Sequence, residues 1–135
     1  LYLYNFMKNQ KPIIGILKNI EKIFDFHYKF LQPILTKYKY FFCYCRSKYS
    51  LSTIYLLKNY NIKIHGIIDD NEKYRNTIFY NFKTINLSVF LKKNKKIIKD
   101  CAIIITHQRE STSNKIIKGM IDRGLSKKQI KVVKF

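Results

Sequence analysis

The residues best equipped for chemistry fall in three short clusters. Arg46-Ser47-Lys48 places two cations around a hydroxyl, a combination suited to phosphate oxygens. Asp69-Asp70 follows an apolar run, where a carboxylate can accept hydrogen bonds from paired hydroxyls such as those of a ribose. His107 and Arg109 lie in the polar run Thr106-His-Gln-Arg-Glu-Ser-Thr-Ser113, after another apolar run, and could form the far wall of a site. Each cluster also has a plainer reading. The two aspartates suit a polar turn that caps the next segment, and a single loop histidine is ordinarily just solvated. His65 reads as a packed mid-strand histidine and His27 as part of a helix. No two histidines stand at metal-ligand spacing, and there is no Gly-x-Ser-x-Gly elbow, Walker loop or placeable Ser-His-Asp set. The sequence assigns no catalytic residue, so any reaction requires a further domain.

Cys43, Cys45 and Cys101 are an odd number without a Cys-x-x-Cys pair, and all three fall in strand-like runs. They read as reduced core thiols of a cytosolic protein, and no second ligand pair accompanies them to suggest zinc. The 135 residues carry a formal charge of +19, from 27 cations and 8 acids. Heavy use of Lys, Asn, Ile, Tyr and Phe points to A/T-rich coding. That bias does not account for the scarcity of acids, because Glu codons are A/T-rich too. Only Arg46, Arg75, Arg109 and Arg123 are arginines, so the charge suits nonspecific polyanion attraction better than base readout. The eleven tyrosines and ten phenylalanines interleave with lysine; at strand and helix spacing they read mainly as core.

These clusters need elements to position them. Ile13, Ile14, Leu17, Ile20, Phe24, Tyr28, Leu31 and Leu35 recur at helical spacing, and Pro33 predicts a long helix to about Gln32 followed by a short turn of helix or a kink. Strands are expected over Tyr38–Cys45, Ile62–Ile68, Asp100–Thr106 and Gln129–Val133. Between them, helices are expected over Leu51–Asn59 (capped by Ser50 or Ser52), Leu87–Asn94 and Ser111–Arg123, the last stopped by Gly124. Residues around Tyr80–Ile85 read as a looser stretch. Strands separated by helices imply parallel crossovers, hence an α/β fold: a small three-layer Rossmann-like sheet over 38–135, preceded by a helical lead-in over 1–37. No apolar run reaches membrane-span length. Leu1–Met7 has neither an initial Met nor the features of a signal peptide, and reads as the cut edge of a longer protein or, in the alternative, as a short native tail.

The segment Gly66-Ile67-Ile68-Asp69-Asp70-Asn71, the later apolar strand Cys101–Thr106 and the helix ending at Gly124 carry a family likeness. Over roughly Tyr40–Val133, about 70% of the chain, the pattern resembles Rossmann-like domains of sugar-modifying proteins. These include the C-terminal domain of C-methyltransferase-like proteins and the N-terminal nucleotide-binding domain of some sugar acetyltransferases and epimerases. The resemblance implies a nucleotide or nucleotide-sugar ligand. Arg46, Ser47 and Lys48 would hold its phosphate, Asp69 and Asp70 its ribose, and His107 and Arg109 the far wall. Where that family carries glycines, this chain carries Cys43 and Cys45, which predicts a degenerate phosphate loop. Two rival readings are a basic module for nucleic acid or an acidic partner, and a decayed paralogue without a ligand.

Overall fold

The computed structural model describes residues 11–135, so the reading of Leu1–Met7 lies outside the described residues. The chain divides into a first unit ending at Phe30 and a second, Leu31–Phe135. Helix α1 spans Lys11–Lys37 and contains Pro33 without interruption. Of the two continuations expected past Gln32, a short turn of helix or a kink, the helix runs on to Lys37. Proline removes only one backbone donor, and the helix continues for a further turn, where the Thr36 hydroxyl donates back to the Gln32 carbonyl at 3.0 Å.

The second unit holds a six-stranded sheet: β1 (Tyr40–Tyr44), β2 (Gly66–Ile68), β3 (Ile78–Phe79), β4 (Phe82–Ile85), β5 (Cys101–Ile105) and β6 (Ile130–Val132). The order across it is β3-β4-β2-β1-β5-β6, parallel throughout except for the β3–β4 pair. Three helices make the connections: α2 (Lys48–Asn59), α3 (Leu87–Lys93) and α4 (Glu110–Asp122). From β1 the chain steps one way to β2, whereas β5 to β6 steps the other way. Right-handed crossovers then place α2 on one face and α3 and α4 on the other. The core agrees, because Phe42, Tyr44, Cys101, Ile103 and Ile105 cluster with Phe90 of α3 and Met120 of α4. The alternate residues Phe41, Cys43, Ala102 and Ile104 are buried on the opposite face.

Local chemistry ends these helices sharply. After α4, Gly124 (φ 99°) lets its own N–H reach Ile121 O and the Leu125 N–H reach Met120 O at 3.1 Å, a Schellman motif closed by Leu125 on Met120. Asn61 (φ 60°) does the same after α2, with Ile62 N–H on Leu57 O at 2.9 Å. That motif carries the chain past Ile62, and the strand expected from Ile62 is cut to Gly66–Ile68. His65 accordingly lies just before β2 and is exposed, not packed mid-strand. Its backbone N–H still bonds Phe41 O at 2.7 Å, and its Nδ1 accepts the Phe41 N–H at 3.2 Å.

The stretch read as loose is a hairpin. Phe79 faces Phe82, leaving Tyr80-Asn81 as a two-residue turn with φ of 46° and 70°. Two left-handed residues are what a type I′ turn requires, and a tyrosine is poorly suited to the first of them. Replacing Tyr80-Asn81 by Asn-Gly is expected to raise stability by about 0.5–1 kcal/mol, net of the lost Tyr80 ring contact on Phe79. Urea unfolding midpoints check this; an unchanged or lower midpoint refutes the turn assignment.

Candidate functional site

All parallel strands deliver their carboxyl ends to one edge of the sheet, and the strand order reverses direction between β1 and β5. The three sequence clusters all lie at that edge, and the first two touch there through the Arg46 N–H on Asp69. Arg46-Ser47-Lys48 follows β1, Asp69-Asp70 follows β2, and His107 and Arg109 follow β5.

The turn after β1 is the tightest point. Cys45 takes φ 93°, a conformation that favours glycine. It is held there by hydrogen bonds from both sides. The Cys45 N–H donates to Ile68 O at 2.8 Å, and the buried Thr106 hydroxyl reaches the carbonyls of Tyr44 and Cys45 at 3.2 Å each. The next N–H, of Arg46, donates to Asp69 Oδ2 at 2.8 Å.

Ser47, not Ser50 or Ser52, caps α2, and the helix begins at Lys48. Ser47 Oγ accepts from the N–H groups of Tyr49 and Ser50, at 3.2 and 3.4 Å, while Ser50 Oγ accepts the Ser47 N–H at 3.0 Å. Ser50 is the third helical residue of a reciprocal capping box, which corrects the later start expected for this helix. Two amide donors that a phosphate could have used are thereby satisfied within the protein. The Arg46 guanidinium turns away from the helix. It lies 4.7 Å from the Tyr74 ring centre and 4.9 Å from that of Phe79, and bonds the Thr77 hydroxyl. Lys48 is exposed at the helix start, its ammonium 5.2 Å from the Tyr49 ring centre.

The two aspartates part company. Asp69 is half-buried and pins the turn, each carboxylate oxygen accepting one backbone N–H: Oδ2 from Arg46 and Oδ1 from Asn71, both at 2.8 Å. A carboxylate offers about four lone-pair directions, so acceptor capacity remains. Asp70 serves the other face. Its Oδ1 accepts the first N–H of α3, from Leu87, and its Oδ2 accepts the Tyr44 hydroxyl, both at 2.8 Å. It borders a pocket of about 240 Å³ with Tyr44, Thr112, Lys115 and Arg123. Burial, followed by the Asp70 hydrogen bond and charge, raises the Tyr44 phenol above its usual range.

On the β5 side His107 Nδ1 accepts the Arg109 N–H at 3.2 Å, and its carbonyl receives the Ser113 hydroxyl at 2.9 Å. Arg109 is the N-cap residue of α4, is exposed, and makes no side-chain cap. Sequence reasoning passed over Tyr44, Thr77 and Thr106, which fix these loops. Only Thr106, the polar end of an apolar run, carried a signal. Among the described residues no group of three or more His, Cys, Asp or Glu could hold a metal ion. Among them, too, no helix is long and apolar enough to cross a membrane.

The thiols are chemically quiet. Desolvation pushes Cys43 from 9.0 up to about 12, with the neighbouring Cys45 adding to it. Desolvation and then Asp69 raise Cys45 to about 11; desolvation and then Asp100 raise Cys101 to about 11. The fold favours the protonated thiols, so their stabilising effect is complete below pH 9 and is lost as pH climbs toward 11–12. Native protein at pH 8 should label with a thiol-disulfide reagent at least about 100-fold more slowly than urea-unfolded protein, and urea midpoints should hold from pH 7 until about pH 9 before falling. Rapid native labelling at pH 8 contradicts this.

No protein-family model, curated protein or solved structure matches this chain, so what it does rests on its own geometry.

Proposed function

We propose that the carboxyl-end crevice binds a nucleotide or nucleotide-sugar, and that the domain is an accessory, Rossmann-like part of a sugar-modifying, methyltransferase-like protein. The observation that carries this reading is the strand order. Counted in order of appearance, the parallel strands run third-second-first-fourth-fifth, with the reversal between β1 and β5. Sheets of this order open a crevice at the reversal, beyond the carboxyl ends of the strands.

Each side chain then has a role consistent with its position. Lys48 and the positive end of α2 attract the phosphate, and Arg46 adds positive charge nearby while its guanidinium stays against Tyr74 and Phe79. Asp69 uses its remaining lone pairs on ribose hydroxyls, and Asp70 supports the base of the site through Tyr44. His107 and Arg109 bound the crevice on the β5 side. Cys45 and the capping box weaken the phosphate site by occupying space and donors that a glycine-rich turn would leave open. Chemistry on the ligand would come from groups outside this domain, since the crevice holds no nucleophile–base pair.

Thermal unfolding with a panel of nucleotides and nucleotide-sugars tests the proposal. Ligand at 100 times its dissociation constant adds about 2.7 kcal/mol, a rise of several degrees in Tm. The shift should shrink in Asp69→Asn and in Lys48→Gln, the latter an exposed change that keeps the fold, and grow in Cys45→Gly. No shift with any member of the panel removes the proposal.

A further inference from the structure

A parallel sheet gathers the starts of its strands at one pole, as it gathers their ends at the other. At the starting pole the segments entering four of the five parallel strands bring exposed lysine: Lys39 before β1, Lys63 before β2, Lys95, Lys96 and Lys99 before β5, and Lys127 before β6; the other, β4, carries exposed Lys83 as its second residue. Hydrogen bonds hold these segments together there. The Lys39 N–H donates to Asp100 O at 2.9 Å, and Gln129 Nε2 bonds Ile98 O and Cys101 O at 2.7 and 3.0 Å. Asp100 is the one acid in these segments. Four of the eight acids (Asp69, Asp70, Glu72 and Glu110) stand instead after the ends of β2 and β5, at the opposite pole. The ion pair Lys29–Asp25 lies on α1, and among the described residues none of these lysines is paired with a carboxylate within 4 Å.

The same pole carries an open groove of about 590 Å³, within the usual range for ligand sites. It exists because α3 has only seven residues and leaves the starts of β2 and β4 uncovered. Gly66 adds to it, since a Cβ there would meet the Phe42 ring at 3.1 Å. Tyr40, His65 and Phe82 line it with rings, and Lys83 and Lys93 line it with charge. No carboxylate lines it. The Tyr40 and His65 rings meet edge-to-face, 5.2 Å apart. Desolvation against its neighbours, then the Lys63 charge, lower the His65 imidazole from its ordinary 6.5, against the opposing effect of the Phe41 N–H hydrogen bond.

From this combination we infer that the groove binds single-stranded nucleic acid, its rings taking bases and the surrounding lysines taking phosphates. Rings and cations interleaved along a concave surface are the requirements of sequence-tolerant single-strand binding. A bilayer surface cannot enter the groove, and an acidic peptide would use the lysines but gain nothing from the rings. A duplex keeps its bases stacked and would meet only the charge. The surface lies at the opposite end of the sheet from the proposed nucleotide crevice, so either assignment can fail without the other.

Fluorescence anisotropy with labelled 12-mers of oligo-dT and oligo-U tests the inference, with a DNA hairpin duplex, heparin and phosphatidylserine vesicles as competitors. The single strands should bind at 50 mM salt at least about tenfold more tightly than the duplex. Lys83→Gln with Lys93→Gln, both exposed positions, should lower the log–log salt slope by about 1.4. Tyr40→Leu, checked for an unchanged unfolding midpoint, should weaken binding at least about fivefold while leaving that slope alone. The paired change Lys73→Gln with Lys115→Gln, outside the groove lining, controls for net charge and should have a smaller effect. The inference is overturned by absence of binding at 50 mM salt, by duplex or vesicles binding as well as the single strands, or by groove and control variants behaving alike.

Discussion

Strand β1 has hydrogen-bonded parallel neighbours on both sides, β2 and β5, and a buried face above and below. A strand in that position must be apolar in both directions, which Phe41, Phe42, Cys43 and Tyr44 satisfy. It also dictates how the rest of the chain is laid down. Because β1 starts the sheet yet ends near its middle, later strands must be added first on one flank and then on the other. Right-handed crossovers turn that reversal into helices on opposite faces. The gathering of loops at the strand ends and the lysine-rich pole at the strand starts both follow from it.

The loops beyond β1 show how buried order is maintained without glycine. Cys45 sits in a backbone conformation that costs a non-glycine residue on the order of 1–3 kcal/mol. The Ile68 carbonyl, the Thr106 hydroxyl and the Asp69 carboxylate together fix the backbone on either side of it. Asp70 ties β1 to α3 through Tyr44 and Leu87 in the same way. The acids here therefore organise backbone, while the basic residues around the strand starts are left to face solvent. Charge is divided along the strand direction: half of the acids collect where strands end, and lysines crowd where they begin.

Much of this was legible from residue order. Strands β1 and β5, helix α4 and its stop at Gly124 follow from apolar runs and one glycine. They were placed within a residue or two, since such runs keep their period whatever surrounds them. The hairpin was missed because Tyr80-Asn81 lacks the glycine that usually marks its turn. Strand β2 was drawn too long because Ile62 and Ile64 alternate as a strand does, while Asn61 had already committed the chain to a helix stop. Pro33 leaves a further turn of helix or a kink open on paper, because its missing N–H is visible in sequence; the structure takes the turn, to Lys37. The cap of α2 was placed too late because Ser47, Ser50 and Ser52 are alike on paper and differ only in backbone angle.

By itself, then, the sequence determined that apolar runs alternate between strand and helix periods, that the sheet is largely parallel, and that Arg46, Asp69 and His107 stand after successive strands. Those are properties of local pattern, set by side-chain volume and spacing. Only the tertiary structure decided which carboxylate faces which loop, that the Arg46 guanidinium lies against Tyr74 and Phe79, and that lysines far apart in the chain share one pole with an aromatic groove. Such outcomes depend on strand order and register, and no local pattern carries them, because parallel pairing joins residues separated by twenty to sixty positions.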